Sequence, residues 1–154
     1  MRKLSFSLAA FLVLNLIVGC VNTDPVLIEV GQERCAHCRM DIADMRFNTQ
    51  LVTKKGKRYH FDSIECMVSW IKDHPEQPMA KGYVKNFYKS KEYVDYTEAK
   101  FLKSEKLPSP MGAFLSSYSS DEEVVKAISE YGGQQLTLEQ LNDFVKSYTD
   151  KRIH

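Results

Sequence analysis

The sequence predicts an α+β domain that follows an export signal, and three observations lead to this prediction. Short stretches rich in β-branched and aromatic residues alternate with stretches whose apolar residues recur at helical spacing. Residues that can cap a helix precede each helical stretch. The order is strand, strand, helix, strand, which occurs twice and is followed by a last helix. This is a duplication of structural order and not a repeat in the sequence itself.

The N-terminus has the features of a bacterial lipoprotein signal. Two basic residues precede an apolar run at 4–18 that is too short and too interrupted to span a bilayer. The run ends in Ile-Val-Gly-Cys at 17–20, a pattern at which the thiol of Cys20 receives a diacylglycerol and becomes the first mature residue. An ordinary secretory signal followed by an unrelated cysteine is the alternative.

These features divide the chain into three parts. We expect a signal peptide at 1–19, a tether at 20–30 and one domain at 31–150. The lipid would hold the domain outside the cytoplasm, on the periplasmic or cell-surface side of a bacterial membrane. The residues left after cleavage are numerous enough to bury a core without disulfides.

The charge of the mature chain excludes one class of partner. Cleavage removes two basic residues and leaves 19 against 20 acidic ones, so the domain is nearly neutral. Such a domain has no basic stripe for nucleic acid. It also has no strong overall attraction to anionic lipid, so the acyl chain would supply the affinity for the membrane.

The first half is predicted to contain two strands, a helix and a further β-prone stretch. Strand-forming residues fill 47–53 and 58–61 on either side of a lysine-rich turn. Asp62 is a good N-cap and Glu65 stands three residues after it, so a helix should begin there. Its apolar residues at helical spacing are Ile64, Met67, Val68 and Ile71. Residues 83–96 are again β-prone.

The second half repeats this order. Residues 100–103 and 113–118 are predicted strands, separated by the turn Pro-Ser-Pro-Met-Gly at 108–112. Two capping boxes begin the remaining helices, and the pairs are Ser120 with Glu123 and Thr137 with Gln140. Two glycines at 132–133 end the first of these helices, and 134–136 is a short strand.

The densest run of donor atoms is Cys-Ala-His-Cys-Arg-Met at 35–40. Cys35 and Cys38 can hold one ion from a turn, and Met40 adds a thioether two residues later. With Cys20 lipidated, Cys66 is the third remaining cysteine, and an odd number makes a poor disulfide framework. Thiolates and thioethers are soft donors that select Cu(I), whereas zinc sites rarely use methionine.

Other interpretations of the same run stay open. A thioredoxin-like redox pair would lie between a strand and a helix, whereas this motif follows the tether. A structural zinc site would need His60 or Cys66 to complete its four ligands. The two cysteines of the motif could form a resting disulfide, and Met40 could be part of the core. A c-type haem is excluded because Arg39, and not a histidine, follows Cys38.

Several further side chains have two interpretations. Met111 lies between a proline and a glycine, so it either plugs its own turn or is presented as a ligand. Cys66 lies away from the apolar face of the first helix and either faces a metal site or is a half-buried apolar residue. His37 and His60 are additional ligand candidates, and His74 at the helix end is structural.

Together these features resemble the NosL family, the copper-binding accessory lipoproteins of nitrous-oxide reductase maturation. The resemblance covers nearly the whole mature chain. The motifs that carry it are Cys20, Cys35-x-x-Cys38-x-Met40-x-Ile42, Phe61-Asp62, Ser109-Pro110-Met111-Gly112 and Gly132-Gly133. It implies a fold of two ββαβ-type units with a C-terminal helix, in agreement with the order of elements above.

The resemblance also implies a function. The family consists of extracytoplasmic chaperones that bind Cu(I) through soft sulfur ligands and deliver it for assembly of the nitrous-oxide reductase copper centre. The candidate ligands are Cys35, Cys38, Met40 and Met111, with Cys66 as a further candidate. We therefore expect a Cu(I) metallochaperone that is not an enzyme and has a copper-acceptor protein or maturation complex as its partner. The alternatives are a membrane-tethered thiol oxidoreductase and a structural zinc module.

Overall fold

The computed structural model describes residues 21–153. The expected signal peptide at 1–19 and the expected lipidation site Cys20 lie outside the described residues. No helix within 21–153 has the length and the apolar character needed to cross a membrane.

Seven strands and three helices lie in the described residues, and they confirm the predicted α+β class. In chain order they are β1 (Thr49–Thr53), β2 (Arg58–Phe61), α1 (Ile64–Asp73), β3 (Met79–Asn86), β4 (Lys89–Asp95), β5 (Lys100–Lys103), β6 (Leu115–Tyr118), α2 (Asp121–Tyr131), β7 (Gln134–Leu136) and α3 (Leu138–Ile153). The strands form two antiparallel sheets with the orders β2-β1-β3-β4 and β6-β5-β7.

Helix α1 is the centre of the molecule. Residues 64–70 are buried on every side of the helix, because α1 contacts α3, β1, β2 and β6. Trp70 packs on Tyr59 and Phe61 of β2, with ring centroids 4.4 and 5.9 Å apart. Five of these seven residues are apolar, and a helix of mainly apolar composition on all sides belongs in the interior of a protein. Residues placed on α1 are therefore surrounded by both halves of the chain.

Helix α1 begins later than the sequence suggests. The N-cap is Ser63, whose side chain accepts a hydrogen bond from the Cys66 N–H at 3.4 Å. Asp62 was the expected cap, and that expectation was wrong by one residue. The Asp62 carboxylate is consequently free to point elsewhere, towards the loop at 35–40.

The β-prone stretch at 83–96 forms a hairpin of two strands, β3 and β4. The turn between them follows Asn86, whose side chain accepts a hydrogen bond from the Tyr88 N–H at 3.1 Å. Phe87 is buried against Tyr118 of β6, and its N–H donates to Ser117 O at 2.8 Å. Contacts to the second half therefore fix the turn.

Residues 21–30, which we call the strap, contact strands β1 and β2 of the four-stranded sheet. The Gln50 side chain exchanges two hydrogen bonds with the backbone N–H and C=O of Val26. The Arg58 guanidinium donates to the carbonyl oxygens of Asn22 and Asp24 at 3.2 and 3.0 Å. The expected tether thus makes specific contacts with β1 and β2.

Candidate metal centre

The loop at 35–40 folds back on itself, so that its two cysteines lie on the same side of the loop. The Cys35 N–H donates to Met40 O at 2.8 Å, and the Arg39 N–H donates to Cys35 O at 3.0 Å. The Ala36 N–H donates to His60 O at 2.8 Å and so ties the loop to β2. Arg39 has a φ of +69°, a left-handed conformation that favours glycine and that closes this tight loop.

Three thiols and one carboxylate meet between this loop and the start of α1. The ligand atoms of Cys35, Cys38, Asp62 and Cys66 all lie within 4.8 Å of one another. All three cysteines are free thiols. Cys35 and Cys66 are buried, whereas Cys38 is partly exposed, so the cluster opens to solvent at Cys38.

Asp62 enters the cluster because Ser63 caps the helix. The Cys38 thiol donates to Asp62 Oδ2 at 3.6 Å, whereas the buried Oδ1 has no hydrogen-bond partner among the described residues. Asp62 immediately precedes the cap Ser63 and Cys66 lies in the first turn of α1, so both groups stand at the start of the helix. A buried carboxylate oxygen without a partner costs free energy that a bound cation would relieve.

The three thiols have different proton affinities. A hydrogen bond from the Cys66 thiol lowers the pKa of Cys35 to about 6, against the effect of burial, and the N–H groups of Asp62 and Cys38 act in the same direction. Burial raises the pKa of Cys38 to about 11. Donation to Cys35 and burial raise the pKa of Cys66. Cys35 is therefore the most readily ionised of the three thiols.

A cavity of about 210 Å³ adjoins the thiol cluster. The residues that line it include Cys66, His37, Met111 and Tyr148. Met111, which is remote in sequence, is thereby brought to the same cavity as a cysteine of the cluster.

Glu65 holds the loop that carries Met111 against α1. Its buried Oε1 accepts hydrogen bonds from Ser109 Oγ at 2.5 Å and from the Ala113 N–H at 3.3 Å. These two residues flank Met111 on either side, and the Tyr148 hydroxyl donates to Met111 O at 2.9 Å. Burial raises the pKa of the Glu65 carboxyl. The backbone of the Ser-Pro-Met-Gly turn is fixed from two directions.

The remaining sequence candidates lie around the cluster. Met40 is about half exposed at 48%. His37 Nδ1 lies 3.8 Å from an Asp73 carboxylate oxygen and so faces the end of α1. His60 Nδ1 lies 3.3 Å from a Glu33 carboxylate oxygen. His74 stacks on Trp70 with ring centroids 4.1 Å apart, in keeping with a structural role.

Sequence reasoning missed Asp62 as a donor because it treated this residue as the helix cap. The signal that could have found it is the pair Asp62-Ser63. Both residues are good N-caps, and only one can occupy the position, so the other is available for a different contact.

Comparison with known proteins gives two further findings. The family model named NosL matches residues 25–145. The crystal structure of the copper chaperone NosL from Shewanella denitrificans has a TM-score of 0.65 to this chain at 21% sequence identity. The match covers 77% of this chain and 96% of that chain, and at this identity it shows a shared fold. No match was found among curated proteins.

Proposed function

The chain belongs to the NosL family, and on that premise we propose that it is a lipid-anchored, extracytoplasmic carrier of Cu(I) that supplies the nitrous-oxide reductase copper centre. The observation that carries the proposal is the convergence of Cys35, Cys38 and Cys66 within 4.8 Å beside Asp62. The likeness in fold to a structure described as a copper chaperone supports it.

The donor atoms of the cluster favour Cu(I) as the cargo. Three sulfur atoms that can bind the same ion form a soft donor set, and such a set prefers Cu(I) to harder ions. Asp62 supplies a hard oxygen, which is a poor ligand for Cu(I), and its carboxylate accepts the Cys38 thiol proton only in the copper-free protein. Burial of Cys35 and Cys66 keeps water and oxidants from the bound ion, and Cys38 leaves one side open.

We propose Met111 and Met40 as additional donors with different tasks. Met111 lines the same cavity as Cys66 and stands on a turn that Glu65 and Tyr148 hold in place. Its fixed position would allow it to help retain the bound ion. Met40 is half exposed and follows Cys38 by two residues, so it would bind the ion on the side that is open to solvent and to an acceptor. An acceptor's sulfur can then replace one weak thioether at a time, and the ion is never released free.

A structural zinc ion is the second candidate, and Asp62 is the observation that favours it. Three thiolates and one carboxylate oxygen can complete a tetrahedral Zn²⁺ site. All four coordination positions of such a site would be filled, so neither Met40 nor Met111 would bind the metal. The two candidates therefore differ in which metal binds and in whether Met111 matters.

The geometry gives less support to a thiol oxidoreductase. An attacking thiol must combine a low pKa with access to its substrate. Here the thiol with the lowered pKa, Cys35, has 0% exposure, and the accessible thiol, Cys38, has the raised one. We accordingly propose that the protein is not an enzyme.

The test is metal binding by the reduced protein under anaerobic conditions. We expect one Cu(I) to be retained against a Cu(I) chelator, a large loss of affinity in Cys66→Ser, and little change in Ser69→Ala, which alters the same cavity without removing sulfur. Loaded protein should transfer copper to copper-free nitrous-oxide reductase, and it should not reduce a disulfide substrate. Retention of zinc with refusal of copper would instead establish the structural site.

The anchor needs a separate test. Cys20→Ala should abolish incorporation of labelled fatty acid, whereas Cys66→Ala should leave it intact. Protease treatment of intact cells that removes the domain would place it on the cell surface. Labelling that persists in Cys20→Ala would contradict the anchor without affecting the copper proposal.

A further inference from the structure

The first described residue is held at one end of the four-stranded sheet. The side chain of Val21 lies so close to Gly56, in the turn between β1 and β2, that a Cβ on Gly56 would be 2.9 Å from Val21 Cγ1. The bonds from Arg58 to the Asn22 and Asp24 carbonyls hold the following residues. Cys20 precedes Val21 directly, and consecutive Cα atoms lie about 3.8 Å apart. An anchor on Cys20 must therefore leave the domain beside this turn.

The same turn is basic. We call Lys54, Lys55, Gly56 and Lys57 the basic turn, and Arg58 follows it. The three lysines are exposed, and none of their ammonium groups forms an ion pair within residues 21–153. The Lys57 ammonium lies over the Tyr59 ring at 4.5 Å, with its charge still at the surface.

Acidic residues near the basic turn do not cancel its charge. Asp24 lies in the strap, and Glu76 lies in the loop whose Pro78 O accepts a hydrogen bond from the Lys54 N–H. Three lysines and Arg58 exceed these two carboxylates, so the patch remains positive. Val21 adds an apolar side chain that is 46% exposed at the same place.

We propose that the basic turn rests on the anionic phospholipid headgroups of the membrane that carries the anchor. This inference rests on the proposed lipid at Cys20. Ammonium groups beside an exposed valine and an acyl chain match a surface with negative headgroups above an apolar layer. The near-neutral charge of the whole domain does not oppose this contact, because charges more than about 10 Å away are screened by salt.

The contact would direct the thiol cluster away from the bilayer. Strand β2 leads from Arg58 at the turn to Phe61, and Asp62 of the cluster comes next. Four residues of strand span about 13 Å. With the turn on the headgroups, Cys38 at the other end of β2 faces an acceptor that approaches from the aqueous side.

The test compares the reactivity of surface amines on two kinds of vesicle. The full lipidated protein is reconstituted into phosphatidylcholine vesicles with or without phosphatidylglycerol, acetylated briefly and analysed by mass spectrometry. Lys54, Lys55 and Lys57 should react about fivefold more slowly on the anionic vesicles, and high salt should remove the protection. Lys91 and Lys106, which are also exposed, should react equally on both.

A pair of matched variants sharpens the result. In Lys54→Gln/Lys55→Gln the protection of Lys57 should disappear, and in Lys91→Gln/Lys106→Gln it should remain. Equal reaction of the basic turn on both vesicles, in protein that floats with them, would overturn the proposed contact and leave the anchor standing. Protein that does not float would overturn the anchor and this contact together, while copper binding would be unaffected.

Discussion

At the scale of single residues, the choice of helix cap determines which atoms enter the metal centre. Ser63 caps α1, and Asp62 is thereby left to accept a hydrogen bond from the Cys38 thiol. Had Asp62 capped the helix, its oxygen would have been engaged with backbone N–H groups near Glu65. A shift of one residue in a local motif thus adds an oxygen atom to a cluster of three sulfurs.

Met111 is the residue whose removal best tests the extent of the centre. Met111→Ala should weaken Cu(I) binding by about tenfold or more, because a soft donor that lines the same cavity as Cys66 is lost. The metal-free fold should be largely kept, since Met111 is only partly buried. Met79→Ala removes another partly buried methionine from β3 and should leave the affinity unchanged. Equal affinities of Met111→Ala and the unaltered protein, in competition with a Cu(I) chelator, would make Met111 a plug of its own turn.

The proton affinities of the thiols predict how copper binding depends on pH. The pKa values of Cys38 and Cys66 are raised and that of Cys35 is lowered to about 6, so near pH 7 the free protein holds two of the three thiol protons. Copper displaces these protons, and binding therefore strengthens as the pH rises. The logarithm of the apparent affinity should increase by about two per pH unit near pH 7 and by about three below pH 6.

Competition titrations over a series of pH values measure this slope. Cys38→Ser should lower the slope near pH 7 to about one, because one displaced proton is lost while the Cys66 hydrogen bond that lowers the pKa of Cys35 is kept. An affinity that does not change with pH in the unaltered protein would show that the thiols do not bind the ion as thiolates.

At the scale of elements, Glu65 links helix α1 to the turn that carries Met111. Glu65→Ala removes the acceptor of Ser109 and of the Ala113 N–H, so the turn should loosen and Cu(I) binding should fall as it does in Met111→Ala. Glu65→Gln keeps an acceptor oxygen and should retain most of the affinity. Combining Glu65→Ala with Met111→Ala should add no further loss, because both changes act on one contact. Additive losses in this double-mutant cycle would mean that Glu65 acts independently of Met111.

Elements determined by local chemistry could be predicted from the sequence. Helix α3 begins after Thr137, where both hydrogen bonds of the capping box with Gln140 form, and α2 begins after Ser120, whose hydroxyl accepts a hydrogen bond from the Glu123 N–H. The sequence did not indicate that the β-prone stretch at 83–96 contains a turn between two strands. That turn contains Phe87 and Tyr88 in place of the usual glycine or proline. Burial of Phe87 against the second half fixes that turn, and no local pattern reports such a contact.

The residues of the candidate site likewise fall into those that local sequence indicated and those that depend on tertiary packing. The pairing of Cys35 and Cys38 is a property of their spacing, so the sequence indicated it. Cys66 was left between two interpretations, because its surroundings depend on how α1 packs, and the structure places it in the cluster with its side chain 1% exposed. Asp62 could not be assigned, since two adjacent capping residues compete and a contact with Cys38, distant in the chain, determines the outcome.

At the scale of the whole molecule, bound copper should stabilise the fold because it joins parts of the chain that are remote in sequence. The ligand atoms are assembled only in the folded state, so the ion stabilises it by about 4 kcal/mol when free Cu(I) is a thousandfold above Kd. For a domain of this size that corresponds to a rise in Tm of about 10 °C. Cys66→Ser should remove most of the rise in a melting experiment under reducing conditions, and an unchanged Tm on loading of the unaltered protein would contradict the assembled centre.

The order of the candidate donors along the chain has a consequence for biogenesis. The three thiols and Asp62 all come from residues 35–66, whereas Met111 and helix α3, which close the adjoining cavity, come later. On the export route proposed above, a polypeptide that emerges N-terminus first can bring these four groups together by closing a single loop, before Met111 and α3 have emerged. We expect a nascent chain to pass through an interval in which the sulfurs are assembled and still uncovered. During that interval the cell's supply of free metal, and not the closed site, would determine which ion binds first.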